Sequence, residues 1–468
     1  MTPRICLLFW LLAAVPVWSQ TTGTGTGTTG STGTDTSGNG QQSDEEGQNP
    51  VMNSGMLTPP PMSGEAYPTA AKAEATNNFV RFGITAEAAY DDNLFAGFSS
   101  ETPTGEMEYS IWPSVNLDRS TPRAVAQFKY SPGFSYYEPS TLFNEVDHNA
   151  AMNLQYLLGE HTSVTVEDSF LRSSSLYNSP AGLSGGDVTG TAPLQAVGVT
   201  AAFADRITNL ATASLSDQPG ENEMFNVRAQ YGQLDYPNAA QVPGLYNATA
   251  WSGAASFTER FSSRQYLGGQ VQHSRIVSYL PGTDNVVETD NLFPFYTIYL
   301  RDSKTSLISL SVTLGVEHYR AEQYPASPAL GWTPAGTLGI GWQGHFTSLA
   351  VNVSRYLTGG GGLSGAYSED VINAFFRREL SRTWAVNLSG LYSNNKNETP
   401  FFPLTEPGGH GFVASASAEH RLTRDLKCQF GYDRTTEHYQ DIGALSKYPS
   451  NDRVYGSITY EFNRPIGR

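Results

Sequence analysis

Charge is scarce in this chain. Asp, Glu, Lys and Arg make up 15% of the 468 residues, against roughly 25% in a typical soluble domain. A mean hydropathy of −0.34 shows that the chain is nevertheless polar on average. That combination excludes an ordinary soluble globule more readily than a wide barrel, in which oily and wet residues alternate and cancel. Basic residues are few: 28 Lys and Arg face 44 Asp and Glu, a formal net charge of −16. A nucleic-acid surface needs the opposite sign. In a pore, an acidic excess would favour cations.

Cysteine is nearly absent, with Cys6 and Cys428 alone, so no disulfide framework or cysteine metal site is available within one chain. Cys428 reads as a small apolar wall residue. The eight histidines are scattered, with no HExxH spacing, so no metal and no cofactor is expected. Past the N-terminal region no run of eighteen apolar residues occurs, which excludes a membrane-spanning helix.

The first residues, MTPRICLLFWLLAAVPVWSQ, have the parts of a secretory signal. Arg4 supplies the positive region, Ile5 to Val17 the apolar core, and Val17-Trp18-Ser19 the cleavage site. The core is too short to cross a bilayer as a helix. Residues 20–76 are dominated by Thr, Gly, Ser, Pro and acidic side chains. They cannot bury enough apolar surface to offset the entropy of ordering, and read as a disordered periplasmic leader. The expected division is therefore 1–19 signal peptide, 20–76 leader and 77–468 folded domain.

From Asn77 onward apolar and polar residues alternate. Ala124, Ala126, Phe128, Tyr130, Pro132, Phe134 and Tyr136 fall on one face, and Gln127, Lys129, Ser131, Gly133 and Ser135 on the other. Val80, Phe82, Ile84, Ala86, Ala88 and Tyr90 likewise oppose Arg81, Thr85 and Glu87. Leu426, Cys428, Phe430 and Tyr432 oppose Lys427, Gln429 and Asp433. A period of two is that of a strand with one oily and one wet surface.

Short connections, such as Arg119-Ser120-Thr121 and Thr423-Arg424, alternate with long Gly/Pro/Asn-rich ones. The long ones are Asp92 to Thr104, Ser174 to Pro193, Pro281 to Asp290, Thr358 to Tyr367, Asn395 to His410 and Gln440 to Asn451. This asymmetry points to an all-β chain: a transmembrane antiparallel up-and-down β-barrel in the outer membrane, of about eighteen strands, or sixteen. The alternation fails between Asp217 and Tyr246, where Phe225, Val227, Ala229 and Tyr231 read as an extended outer hairpin or a strand continuation.

Three stretches resemble outer-membrane porin-like barrels of the kind often found near exopolysaccharide systems. They are Ala89-Tyr90-Asp91-Asp92-Asn93-Leu94-Phe95, the Gly341 to Gly365 region, and the closing Arg453 to Phe462 run. The resemblance covers roughly residues 78 to 468. It implies an outer-membrane location, contact with lipid, and recognition of the last strand by the barrel assembly machinery. It also implies transport of small solutes through a porin-like pore, or a role as an accessory barrel of exopolysaccharide export or surface assembly. The residues expected to line the lumen are Arg81, Glu87, Glu108, Lys129, Arg377, Glu419, Arg421, Lys427 and Glu461. Aromatics near strand ends, among them Tyr90, Tyr136, Trp342, Trp384 and Tyr432, are expected to form an interfacial girdle. An enzyme is not expected. The remaining chemical candidates are Gly182-Leu183-Ser184-Gly185-Gly186, close to a nucleophile elbow, and Asp147-His148, which would suit a hydrolase at the barrel rim.

Overall fold

A computed structural model describes residues 78–465, apart from 95–102, 139–144, 176–202, 239–243, 304, 323–327, 360–362, 364, 399–407 and 441–448. The signal segment, the leader and Ser184 lie outside the described residues. Every regular element described is a strand. The first nine are β1 (Phe79–Asp91), β2 (Glu106–Ser120), β3 (Ala124–Glu138), β4 (Glu145–Leu157), β5 (Thr162–Ser175), β6 (Phe203–Asp217), β7 (Glu223–Asp235), β8 (Ala248–Ser262) and β9 (Gln265–Leu280). The rest are β10 (Thr283–Ser303), β11 (Ser306–Glu322), β12 (Ala329–Gly344), β13 (Thr347–Thr358), β14 (Tyr367–Glu379), β15 (Trp384–Asn397), β16 (Gly408–Arg421), β17 (Leu426–Gln440) and β18 (Ser450–Pro465).

Each strand pairs antiparallel with the next in sequence, and β18 pairs with β1 from Phe79↔Pro465 to Asp91↔Arg453. The sheet is therefore a closed barrel of eighteen strands. Closure leaves no sheet edge running the length of the wall with unpaired N–H and C=O groups. Because the strand number is even, the start of β1 and the end of β18 lie at the same end of the barrel. That end carries the short turns, including 121–123, 263–264, 345–346 and 422–425. The opposite end, called here the loop end, carries the long connections.

Two expectations are corrected. Residues 281–290 are not a loop. Pro281 and Gly282 make a tight turn, with Gly282 at φ 86°, and Thr283 onward belongs to the 21-residue β10. A positive φ suits glycine, which lets the hairpin reverse in two residues. Nor is the Phe225 to Tyr231 stretch a hairpin excursion. It is β7, a full wall strand paired with β6 and β8.

The period-two pattern resolves into two faces. Phe82, Ile84, Phe128, Val353, Phe430 and Ile458 are each more than two-fifths exposed. Their immediate neighbours in sequence point inward. The inward set is rich in Ser, Thr, Asn and carboxylates. An outward apolar face and an inward polar face are the reverse of a soluble sandwich, whose core is the oily side.

Candidate functional site: the barrel interior and its mouth

Most of the expected lumen residues are tied into polar pairs on the face opposite the apolar one. Arg81 meets Asp118 at 3.2 Å, Arg377 meets Glu419 at 3.6 Å, and Lys427 meets Glu461 at 3.1 Å. Arg377 also donates to Asn387 Oδ1 at 2.9 Å. Lys129 and Arg421 stay exposed on this face. Glu87 and Glu108 converge on Arg453, whose Nη2 lies 2.7 Å from the first and 3.0 Å from the second, while Nη1 lies 3.7 Å from Asp433. Arg453 stood outside the expected set, although its position one residue before outward Val454 marks it as inward.

Large inward rings lie flat against the wall. Trp112 lies over Gly133 of β3, where any Cβ would run into the indole. Trp112 Nε1 donates to Ser110 Oγ at 3.1 Å. Phe295 covers Gly268 in the same manner. Glycine is required at such crossings because a ring occupies the space a side chain would take. Both rings are only 4% exposed. They are wall packing, without the open face that sugar stacking needs.

The loop end narrows on one side. Pairing of β12 with β13 stops at Gly336↔Arg355, although β12 remains paired with β11 as far as Ala329. Pro334, which has no N–H to offer a ladder, stands in the stretch that β13 leaves. Beyond Arg355, β13 stays with β14 up to Thr358↔Tyr367, and the pair turns inward together. Leu357 N donates to Glu317 Oε2 of β11 at 2.6 Å, reaching past β12. Leu357, Leu363, Ala366 and Tyr367 then pack in one buried cluster with inward residues of β8–β11, among them Ile276, Val287 and Tyr319. Tyr319 OH donates to Glu398 O at 3.3 Å, and Glu398 N to Ala366 O at 2.9 Å. Leu357, Leu363, Ala366 and Tyr367 therefore lie inside the mouth as a second layer on the wall.

On the outward face, aromatic rings collect near the strand ends. Tyr90, Tyr136, Trp342, Trp384, Tyr392, Tyr432 and Tyr460 are all well exposed. Histidines join them, as residues of turns or of the interface would. Trp251 and His273 have ring centroids 5.1 Å apart, His318 and Trp332 4.9 Å, and Trp384 and His420 4.3 Å. His273 Nδ1 also lies 2.8 Å from Asp290 Oδ1. The Asp147-His148 pair does not form a catalytic couple. Adjacent strand residues point to opposite faces. Asp147 is buried inward, while His148 Nδ1 meets Tyr130 OH at 2.9 Å on the other side.

No family model matches the chain, and no curated protein matches it. Solved structures do. The chain is similar in fold to Pseudomonas aeruginosa OccK2 (OpdF), at 9% identity and a TM-score of 0.42, with 82% of this chain and 98% of that one covered. The outer membrane protein OpdK from Pseudomonas aeruginosa matches at 10% identity and 0.40, covering 82% and 99%. Acinetobacter baumannii OccAB4 matches at 9% identity and 0.40, covering 83% and 99%.

Proposed function

We propose that this chain is an outer-membrane pore for the passive passage of small solutes, narrowed at its loop end by the β13–β14 hairpin. The single observation that carries this reading is the combination of closure with reversed polarity. Eighteen strands close on themselves with oily residues outward and charged residues inward. Barrels of 16–18 strands leave an aqueous channel, because side chains cannot fill so wide an interior. Outward hydrocarbon contact and inward water satisfy both faces.

The spacing of the girdle supports a bilayer. On β12, outward Trp332 and Trp342 stand ten positions apart (342 − 332). At about 3.3 Å per residue and a tilt of roughly 40°, that spans about 25 Å, the height of the apolar band of outer-membrane barrels. The shorter, turn-bearing end then faces the periplasm. Export by the N-terminal signal and recognition of β18 by assembly machinery belong to the same proposal. The lumen is lined by Arg81, Glu87, Glu108, Lys129, Arg377, Glu419, Arg421, Lys427 and Glu461, a nearly balanced set, and it is the net charge of −16 over the whole chain that favours cations. The export-system reading draws no comparable support, since the inward rings Trp112 and Phe295 are buried.

Liposome swelling tests the proposal. Vesicles containing the folded protein should swell in iso-osmotic small sugars or amino acids. They should swell faster when residues 359–366 are replaced by a short Gly-Ser link. Swelling no faster than protein-free vesicles, by either form, would refute the pore.

A further inference from the structure

Seventeen of the eighteen joints in the wall connect strands that follow one another in sequence; the β1–β18 joint alone closes a loop of more than 300 residues. Closing so long a loop is entropically the least favoured pairing in the sheet. Polar side chains gather at the loop end of this joint. We propose that Asp91, Asp92 and Asn93 on one side, with Asn451, Asp452 and Arg453 on the other, form a polar latch that holds the barrel shut at its mouth.

The latch begins where the ladder ends. Asp91 pairs with Arg453 in the last register position of β1. Past it, Asp92 N donates to Asp452 O at 3.1 Å, and Asp452 N donates back to Asp92 Oδ1 at 2.7 Å. Asn451 Nδ2 donates to Asp91 Oδ1 and to Asn93 O, the latter at 2.9 Å. Asn93 Nδ2 donates to Ser450 O at 2.7 Å, and Asn93 N to Asp91 Oδ1 at 2.9 Å. The Asp-Asp-Asn run thus continues the closure past the last register pair, with one backbone bond and several from side chains.

Arg453 completes it. One guanidinium on β18 binds Glu87 of β1, Glu108 of β2 and Asp433 of β17. It spans four neighbouring strands, and its side chain is only 4% exposed. Its planar fork suits several carboxylates at once. Removing it leaves three carboxylates facing one another across the joint, which costs more than losing an exposed ion pair. This accounts for the Asp91-Asp92-Asn93 run that ends the first strand, for which a solute pathway gives no reason. The inference rests on the barrel fold and not on the pore proposal.

Heat-modifiable gel migration of the folded protein tests it, in a Cys428→Ser background. Arg453→Gln and, separately, Asn451→Ala should lower the temperature at which the compact band is lost, by on the order of 10 °C for Arg453→Gln. A disulfide across the joint, from Ala88→Cys with Gly456→Cys (partners in register), should restore most of that loss. Arg377→Gln breaks an inward ion pair far from the joint; its smaller loss should not respond to the disulfide. If the latch variants melt with the parent, or if the cross-link leaves their loss unchanged, the latch is refuted. Should Arg453→Gln fail to fold, Asn451→Ala with and without the cross-link decides alone.

Discussion

Ile84 and Thr85 are neighbours in β1 with opposite surroundings. Ile84 points outward, about half exposed, while Thr85 shares a 3.0 Å hydroxyl contact with inward Thr459. If the outward face meets hydrocarbon, Ile84→Arg should cost about 2–4 kcal/mol of folding free energy in bilayers, whereas Thr85→Arg should cost much less. Urea titration of folding into vesicles separates the two; equal costs would mean that neither face meets lipid. Gly133 makes a second residue-scale prediction. A Cβ there collides with Trp112, so Gly133→Val should lose about 1–3 kcal/mol through forced repacking. The same substitution at Gly253, which has open space around it, should lose less.

At the scale of elements, the strands were legible and the hairpin tip was not. Alternation survives closure because a barrel wall keeps the period of any strand. The inward or outward direction of Phe82, Glu87, Phe430 and Lys427 could thus be read from their neighbours. Two elements were misread for local reasons. Thr283 to Asp290 is polar enough to look like a loop, since a hairpin standing beyond the apolar band has no lipid face to advertise. β7 was obscured because its outer connection mixes Pro, Gly and Leu with no clear break. The inward tuck of β13–β14 depends on contacts far apart in sequence, namely Glu317 with Leu357 and Leu363 with the β8–β11 wall. Only the flanking glycines and the isolated apolar Leu363 hinted at it. Glu317→Ala removes a buried hydrogen bond to the Leu357 amide and should loosen this contact by about 0.5–1.5 kcal/mol. In single-channel records this should appear as more frequent transitions to a larger open level, with the parent level still present.

In the proposed pore, two properties of the whole molecule set what passes: an eighteen-strand circumference and an interior of mixed charge. The circumference followed from counting alternating segments, and the misread β7 left the choice between sixteen and eighteen open. The joint between first and last strands was visible only as a motif in one strand and an arginine in the other, with Asp91 and Arg453 362 residues apart (453 − 91). No pattern in sequence links such positions until the sheet closes. An acidic excess of 44 over 28 predicts a reversal potential displaced toward that of the cation in a salt gradient, and the displacement should shrink as salt screens the lumen.

Single-channel conductance in planar bilayers reaches the central claim most directly, once a compact heat-modifiable band shows that the protein is folded. A water-filled barrel should give discrete, ohmic current steps that scale with bulk salt, enlarged when the 359–366 segment is removed. A folded barrel that inserts yet gives no steps, with the segment present or absent, would contradict the account.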